Sequence, residues 1–308
     1  MSLTRITLLD GGTGRELLRV GAPFSQPEWS AKALLEGPQF VTRVHENFVA
    51  AGADVITTNS YAVVPYHLGE ERFRRVGHEL AALAGRLARA VASGASRPVR
   101  VAGCLPPLCG SYRTDLFDPV VAKPILATLV DALAPSVDLW LAETLSASVE
   151  AELVAAQIAA MGGAALKPLW FSFTLEDLIA TGAAPRLRSG ESVVDVVKTC
   201  ARLDAQAVLF NCSQPEVMGP AVTIAAQTLR ELGGPAGGTK IGVYANAFVP
   251  LRVTTAANAE LSNLRVDVTP AVYLDWARDW VSRGATIVGG CCGIGPEHIV
   301  ELGKLNAA

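Results

Sequence analysis

A chain of 308 residues that is 50% apolar and 18% charged can bury a large core and is not a disordered polymer. Its formal net charge of −3, with basic residues scattered apart from "ERFRR" at 71–75, offers no basic face for nucleic acid; that short cluster reads as a solvated helix face. No apolar run approaches the roughly 18 residues of a membrane span, "MSLTRITLLDGG" lacks a signal-peptide pattern, and six cysteines are too few for a secreted disulfide framework, so a soluble, cytoplasmic protein is expected.

Short β-rich runs occur in chain order at 6–9 (ITLL), 54–58 (DVITT), 99–102 (VRVA), 138–142 (DLWLA), 168–173 (PLWFSF), 207–210 (AVLF), 240–244 (KIGVY) and 285–288 (ATIV). They are continuously apolar rather than alternating, as parallel strands covered on both faces should be. Helical patterns lie between them. In 70–92, Phe73, Val76, Leu80, Leu83, Leu87 and Val91 recur every three or four residues; in 192–203, Val193, Val196, Val197, Cys200 and Leu203 do the same. Pro215, Pro270 and Pro296 suit first helical turns, with Thr269 as an N-cap. Eight strands with eight crossovers and no linker predict one α/β domain over 1–308, a (β/α)8 TIM barrel. A doubly wound open sheet is the alternative, disfavoured by the lack of GxGxxG after the first strand. Helix-to-strand turns are short and glycine-marked (Gly52, Gly284), whereas strand-to-helix connections are long, at 103–119, 174–191 and 245–269. In a barrel those long loops crowd the C-terminal rim, where barrel enzymes place their chemistry.

The residues that follow the strands are Asp10-Gly11-Gly12-Thr13, Asn59-Ser60-Tyr61, Gly103-Cys104, Glu143-Thr144, Thr174, Asn211-Cys212, Ala245-Asn246 and Gly289-Gly290-Cys291-Cys292. Strands six and eight are second neighbours in a barrel, so Cys212 would face Cys291 and Cys292. Three thiolates suit zinc, and three protein ligands leave a fourth position open, the mark of a catalytic rather than a structural site. Adjacent residues of a strand point to opposite faces; flanking glycines, free to take unusual φ/ψ, would let both sulfurs of the pair turn to one ion. Two small buried hydrophobes or a strained redox pair are the competing readings of the "CC" dipeptide.

Taken together, "LLDGGTGREL" at 8–17, "GADVITTNSY" at 52–61, "AET" at 142–144, "NC" at 211–212 and "GGCCGIGPEHI" at 289–299 resemble the homocysteine S-methyltransferase family over essentially the whole chain and in the family's order. The resemblance implies a zinc-bound homocysteine thiol as methyl acceptor, with Cys212, Cys291 and Cys292 as ligands. It further implies that the Asp10-Gly11-Gly12-Thr13 loop and Glu143 hold the amino-acid end of the substrate and that Asn211 supports the metal shell or the substrate. A free thiol is mostly protonated at pH 7; coordination deprotonates and places it, so no general base is required. Amides of the Gly11-Gly12 turn suit a carboxylate.

Three stretches depart from the family pattern: "GCLPPLCGSYRTDLF" at 103–117, which adds Cys104 and Cys109; "YAN" at 244–246; and Thr144, where betaine-type members carry a tyrosine that can occupy zinc, so that water is the expected resting ligand here. Cys104 and Cys109 read as ordinary loop thiols or as a reversible disulfide, and Cys200 as core. Tyr61, Tyr66 and His67 are candidates to line a donor pocket, with loop packing the expected role of His67; the tryptophans read as packing. The expected activity is zinc-dependent methyl transfer from a sulfonium donor resembling S-methylmethionine to homocysteine, giving methionine. The alternatives are transfer to another thiol or from a separate corrinoid protein, or a non-catalytic zinc- or thiol-binding barrel. The expected partners are small molecules, not nucleic acid or membrane.

Overall fold

Each of the eight apolar runs holds half or more of a strand in the computed structural model, which describes residues 5–25, 27–178, 182–233, 238–250 and 263–307. The strands are β1 (Thr7–Leu8), β2 (Val55–Thr57), β3 (Arg100–Leu105), β4 (Leu139–Leu145), β5 (Leu169–Phe173), β6 (Ala207–Asn211), β7 (Lys240–Tyr244) and β8 (Ile287–Val288); β3, β4 and β6 run one to three residues past the expected ends. All pair in parallel with their sequence neighbours, and β8 pairs with β1. A Leu9–Val55 bridge, with Asp54 N donating to Leu8 O at 2.7 Å and Asp10 N to Val55 O at 3.0 Å, closes β1 onto β2. The expected (β/α)8 barrel is therefore the fold, and the open sheet is excluded. Parts of two long loops, 179–181 and 251–262, lie outside the described residues.

One outer helix follows each strand: α3 (Pro38–Ala51), α5 (Glu70–Gly94), α6 (Pro119–Leu133), α7 (Ser148–Met161), α8 (Val193–Arg202), α9 (Pro215–Glu231), α10 (Pro270–Arg283) and α11 (Pro296–Leu302). Three short helices, α1 (Thr13–Arg19), α2 (Ala31–Glu36) and α4 (Pro65–Leu68), are inserted in the first two rim connections. The punctuation works as the residue types dictate. Gly52 and Gly284 end α3 and α10 at φ 110° and 123°, the left-handed conformation that glycine takes without a Cβ clash. Thr269 caps α10 by accepting from Val272 N, and Pro215, Pro270 and Pro296 open their helices. Asn306 ties the end of the chain to its start: its Oδ1 accepts from Ile6 N, and its Nδ2 donates to Ile6 O, both at 2.8 Å.

Side chains including Leu9, Val55, Leu141, Trp170, Leu209 and Ile287 fill the barrel interior, and a larger apolar layer lies between the strands and the helices. Packing corrects two expectations. The buried face of α5 holds Gly77, Ala81, Ala84, Gly85, Ala88 and Ala92 together with Phe73 and Leu80, while Val76, Leu83, Leu87 and Val91 sit only half-buried at its margins. A Cβ on Gly85 would stand 3.0 Å from Ser136 Cβ, so small residues set the close approach of α5 to its neighbour. The stretch Pro119–Ser136 does reach 18 residues at mean hydropathy 1.2, contrary to the expectation that no run comes near a span. It contains Lys123 and Asp131, half of it is buried, and it packs between α5 and α7.

Candidate active site

At the C-terminal rim of the barrel lies a cavity of about 110 Å³. At roughly 10–15 Å³ per water, that is room for an amino-acid-sized molecule. Asp10, Gly11, Gly12, Thr13, Glu143, Cys212, Cys291 and Cys292 all line it. The sulfurs of Cys212, Cys291 and Cys292 lie within 4.8 Å of one another, the one such metal-compatible group among the described residues. Cys291 and Cys292 hydrogen-bond to the Cys212 sulfur, which holds that thiol well below its ordinary range and pushes theirs up. Zn–S bonds of 2.3 Å in a tetrahedron put sulfurs about 3.8 Å apart, so this donor set fits a zinc ion with one position to spare.

Space, rather than backbone freedom, explains the glycines around the cysteine pair. Gly289 and Gly290 do not take positive φ; in this stretch only Gly293 does, at 84°. A Cβ on Gly289 would strike Leu9, and one on Gly290 would strike Ile294. Glycine at these positions lets the β8 loop close on the β1 loop, where Gly290 N donates to Asp10 O and Gly12 N to Ile294 O, each at 2.9 Å. The latter bond also spends one amide expected to meet a substrate carboxylate. The unusual backbone belongs to Cys212 itself, at φ 52°. Five non-glycine residues have positive φ among those described, and four of them, Trp29, Tyr112, Thr144 and Cys212, line the cavity. Such strain is held at sites where the surroundings over-determine it. The substitution Gly12→Ala would set a Cβ 2.5 Å from Cys291 O. It is expected to lower stability by about 2–4 kcal/mol and to weaken the binding of added zinc, checked by thermal melting and zinc titration.

The carboxylates have distinct supports. Asp10, after β1, accepts from Thr57 N at 2.7 Å and Thr57 Oγ1 at 3.0 Å, and burial lifts its pKa from 3.8 to about 7 despite those bonds. Glu143 also rises to about 7 through burial, opposed by hydrogen bonds from Cys104 and Tyr244, whose hydroxyl donates at 3.1 Å. The β4–β5 register shifts between Ala142 and Leu145, and Thr144 sits at φ 62°. This bulge turns the adjacent Glu143 and Thr144 into the same cavity, a placement that regular strand alternation would forbid. Asn211 does not line the cavity. It lies beneath, with Oδ1 accepting from Thr144 N at 3.1 Å and Ser172 Oγ at 2.8 Å, and Nδ2 donating to Thr144 Oγ1 at 2.9 Å. Its contact is therefore with the bulge.

Tyr61 lines the cavity as expected and hydrogen-bonds Ser111 at 2.5 Å. Tyr66 instead stands beside Gly110, and His67 packs with Nδ1 3.0 Å from Pro27 O. Cys200 is core. Cys104 and Cys109 are both free; Cys104 belongs to β3, buried, rather than to the loop. Sequence reasoning did not single out Trp29, Tyr112, Tyr244 or Phe248 as wall residues. Tyr244 and Tyr112 carried a signal, being an aromatic at a strand end and one in the longest departure from the family pattern; Trp29 and Phe248 carried none.

A family model described as homocysteine S-methyltransferase matches residues 7–305. The chain is 29% identical to homocysteine S-methyltransferase of Escherichia coli strain K12, over 96% of this chain and 94% of that protein. It is 29% identical to homocysteine S-methyltransferase 3 of Arabidopsis thaliana (97% and 89%) and 26% identical to a selenocysteine methyltransferase of Astragalus bisulcatus (98% and 92%). Among solved structures, the metallated form of the homocysteine methyltransferase MmuM from Escherichia coli superposes with a TM-score of 0.73 at 26% identity, covering 98% of this chain and 97% of that one. With the barrel, the rim cavity and a family match from one end of the fold to the other, this chain belongs to the homocysteine S-methyltransferase family and is a methyltransferase.

Proposed function

We propose that the protein transfers a methyl group from a sulfonium donor of the S-methylmethionine kind to the thiol of homocysteine, giving methionine, with Cys212, Cys291 and Cys292 holding zinc. The observation that carries this reading is the meeting of three sulfurs within 4.8 Å of one another on the wall of a cavity that also presents two carboxylates. Bound there, zinc would supply an open coordination position and keep an incoming thiol deprotonated at neutral pH. The chain's own groups do the rest. Asp10 and Glu143 receive the ammonium of the amino acid, and the Gly11-Gly12-Thr13 turn borders its carboxylate. Asn211 acts from beneath, holding through Thr144 the bulge that aims Glu143. Trp29, Tyr61, Tyr112, Tyr244 and Phe248 give the cavity an aromatic wall, a surface that attracts a cationic methyl donor and excludes water. A sulfonium is already activated as a leaving group, so the step needs no corrinoid.

Zinc-loaded protein is expected to form methionine from homocysteine and S-methylmethionine without cobalamin. Turnover with none of a panel of sulfonium and betaine donors would overturn the donor assignment. Selenocysteine belongs in the same assay as acceptor, because two of the relatives are named for it; a preference for it would move the acceptor assignment while leaving the metal and donor readings intact.

A further inference from the structure

Two of the four strained wall residues meet at one hydrogen bond. Tyr112, in the β3–α6 loop, has φ 64°, and Cys212 has φ 52°; the left-handed region is a genuine outlier for a bulky residue. The Tyr112 hydroxyl donates to Cys212 Sγ at 3.0 Å and also lies 3.2 Å from Cys212 O. The Arg188 guanidinium lies over the Tyr112 ring, 4.2 Å from its centroid. Arg188 in turn pairs with Asp177 at 3.0 Å, and both side chains are buried, at 7% and 2% exposure. Asp177 Oδ1 accepts from Gln214 N at 3.2 Å, two residues beyond Cys212. The chain of contacts thus begins and ends on the β6–α9 loop. It passes through two other rim loops, with the phenol wedged between a flat cation and a sulfur.

We propose that Tyr112, held in place by Arg188, is a positioning residue of the transfer reaction: its hydroxyl orients the Cys212 sulfur and sets how much charge that sulfur gives to the metal. This rests on the reading of the three sulfurs as metal ligands. A phenol serving only to pack the wall would have no need to aim its hydroxyl at a sulfur, nor to be fixed there by a buried ion pair. A hydrogen bond to a thiolate ligand withdraws charge from it, which leaves the metal more able to draw on the fourth, incoming sulfur. Partners that orient metal ligands in this way are worth roughly 10- to 100-fold in affinity or activity when removed.

Cobalt(II) in place of zinc provides the test, because the energy of the thiolate-to-cobalt charge-transfer band reports the charge on the sulfur. In Tyr112→Phe the band is expected to move to lower energy. With the zinc protein, kcat should fall by roughly 10- to 100-fold, with little change in KM for homocysteine. Arg188→Lys keeps the charge facing Asp177 but loses the flat stack, and should shift the band in the same direction by less. It also stands as the test should Tyr112→Phe fail to fold. A band and a kcat unchanged in both variants overturn the proposal, as does an effect confined to KM, which would make Tyr112 a wall of the substrate pocket and nothing more. Wild-type protein that takes up cobalt with no thiolate band at all sinks the metal reading as well; a wild-type band indifferent to either substitution sinks the role of Tyr112 alone.

Discussion

Cys212→Ser is expected to leave the protein folded but unable to retain zinc, and to remove methyl transfer almost completely. A hydroxyl is a poor substitute for a soft thiolate on zinc, and two remaining sulfurs from adjacent residues cannot close a three-point site. At pH 7 a free thiol of pKa near 8.5 is only about 3% ionised, so loss of deprotonation alone accounts for roughly a 30-fold deficit. Loss of the geometric hold on the acceptor sulfur adds to it, and a combined deficit above ~10³-fold is expected. Zinc content per chain, measured after dialysis against a weak chelator, and methionine formation check this together. Cys109→Ser is the control: its sulfur lies near Asp118 O, at 3.8 Å, away from the cluster, and metal content should not change. One zinc per chain retained by Cys212→Ser at wild-type affinity would remove Cys212 from the ligand set and, with it, the basis of the functional assignment.

How far the sequence made this site legible depends on what each residue answers to. The barrel could be read because parallel strands covered on both sides must be apolar throughout; the run at 207–210 carries that requirement in every residue, and the run at 240–244 in all but the exposed Lys240 at its start. The convergence of Cys212 with Cys291 and Cys292 could be read because strand ends share one rim, so topology alone brings them together. What failed were inferences that needed packing distances. On α5 the large side chains looked like the buried stripe, yet the tight contact is made by Gly77, Ala81, Ala84 and Ala88, residues whose smallness leaves no hydrophobic periodicity. Gly289 and Gly290 were expected to supply unusual torsions, whereas they supply room for the β1 loop and the strained torsion falls on Cys212. The bulge at Thr144, its tether to Asn211 and the reach of Tyr112 from a different loop depend on register and on long-range hydrogen bonds. Nothing in a linear pattern encodes those. All three belong to the same small region of strained backbone, where local preferences yield to the needs of the site.

Glu143→Gln should make the empty protein more stable and the enzyme worse. Burial lifts the Glu143 carboxyl from its ordinary 4.5 to about 7 and that of Asp10 from 3.8 to about 7, with the charge of Glu143 adding to the rise at Asp10. A carboxyl whose pKa is higher in the folded state binds more protons there than in the unfolded chain. Its favourable contribution is complete below about pH 4.5, fades as pH rises, and is gone once pH has passed about 7. Two carboxylates raised by burial and facing one cavity are therefore a burden on the substrate-free protein at neutral and alkaline pH, and an ammonium group relieves it. Glu143→Gln retains an acceptor for the Tyr244 hydroxyl and removes one charge. It should gain on the order of 1–2 kcal/mol at pH 8, with the gain shrinking towards pH 4.5. Its KM for homocysteine should rise by about 10- to 100-fold, the worth of one hydrogen bond to a charged group, while kcat stays within a few-fold. In the wild type the apparent affinity for homocysteine should improve as pH climbs through 7 and both carboxylates ionise, and in Glu143→Gln one of those two ionisations should vanish from the profile. Thermal melts across pH, with and without homocysteine, separate this from a generic defect. A variant that melts lower than wild type at pH 8, or that holds homocysteine as tightly as wild type does, would mean that the ammonium finds its counter-charge elsewhere.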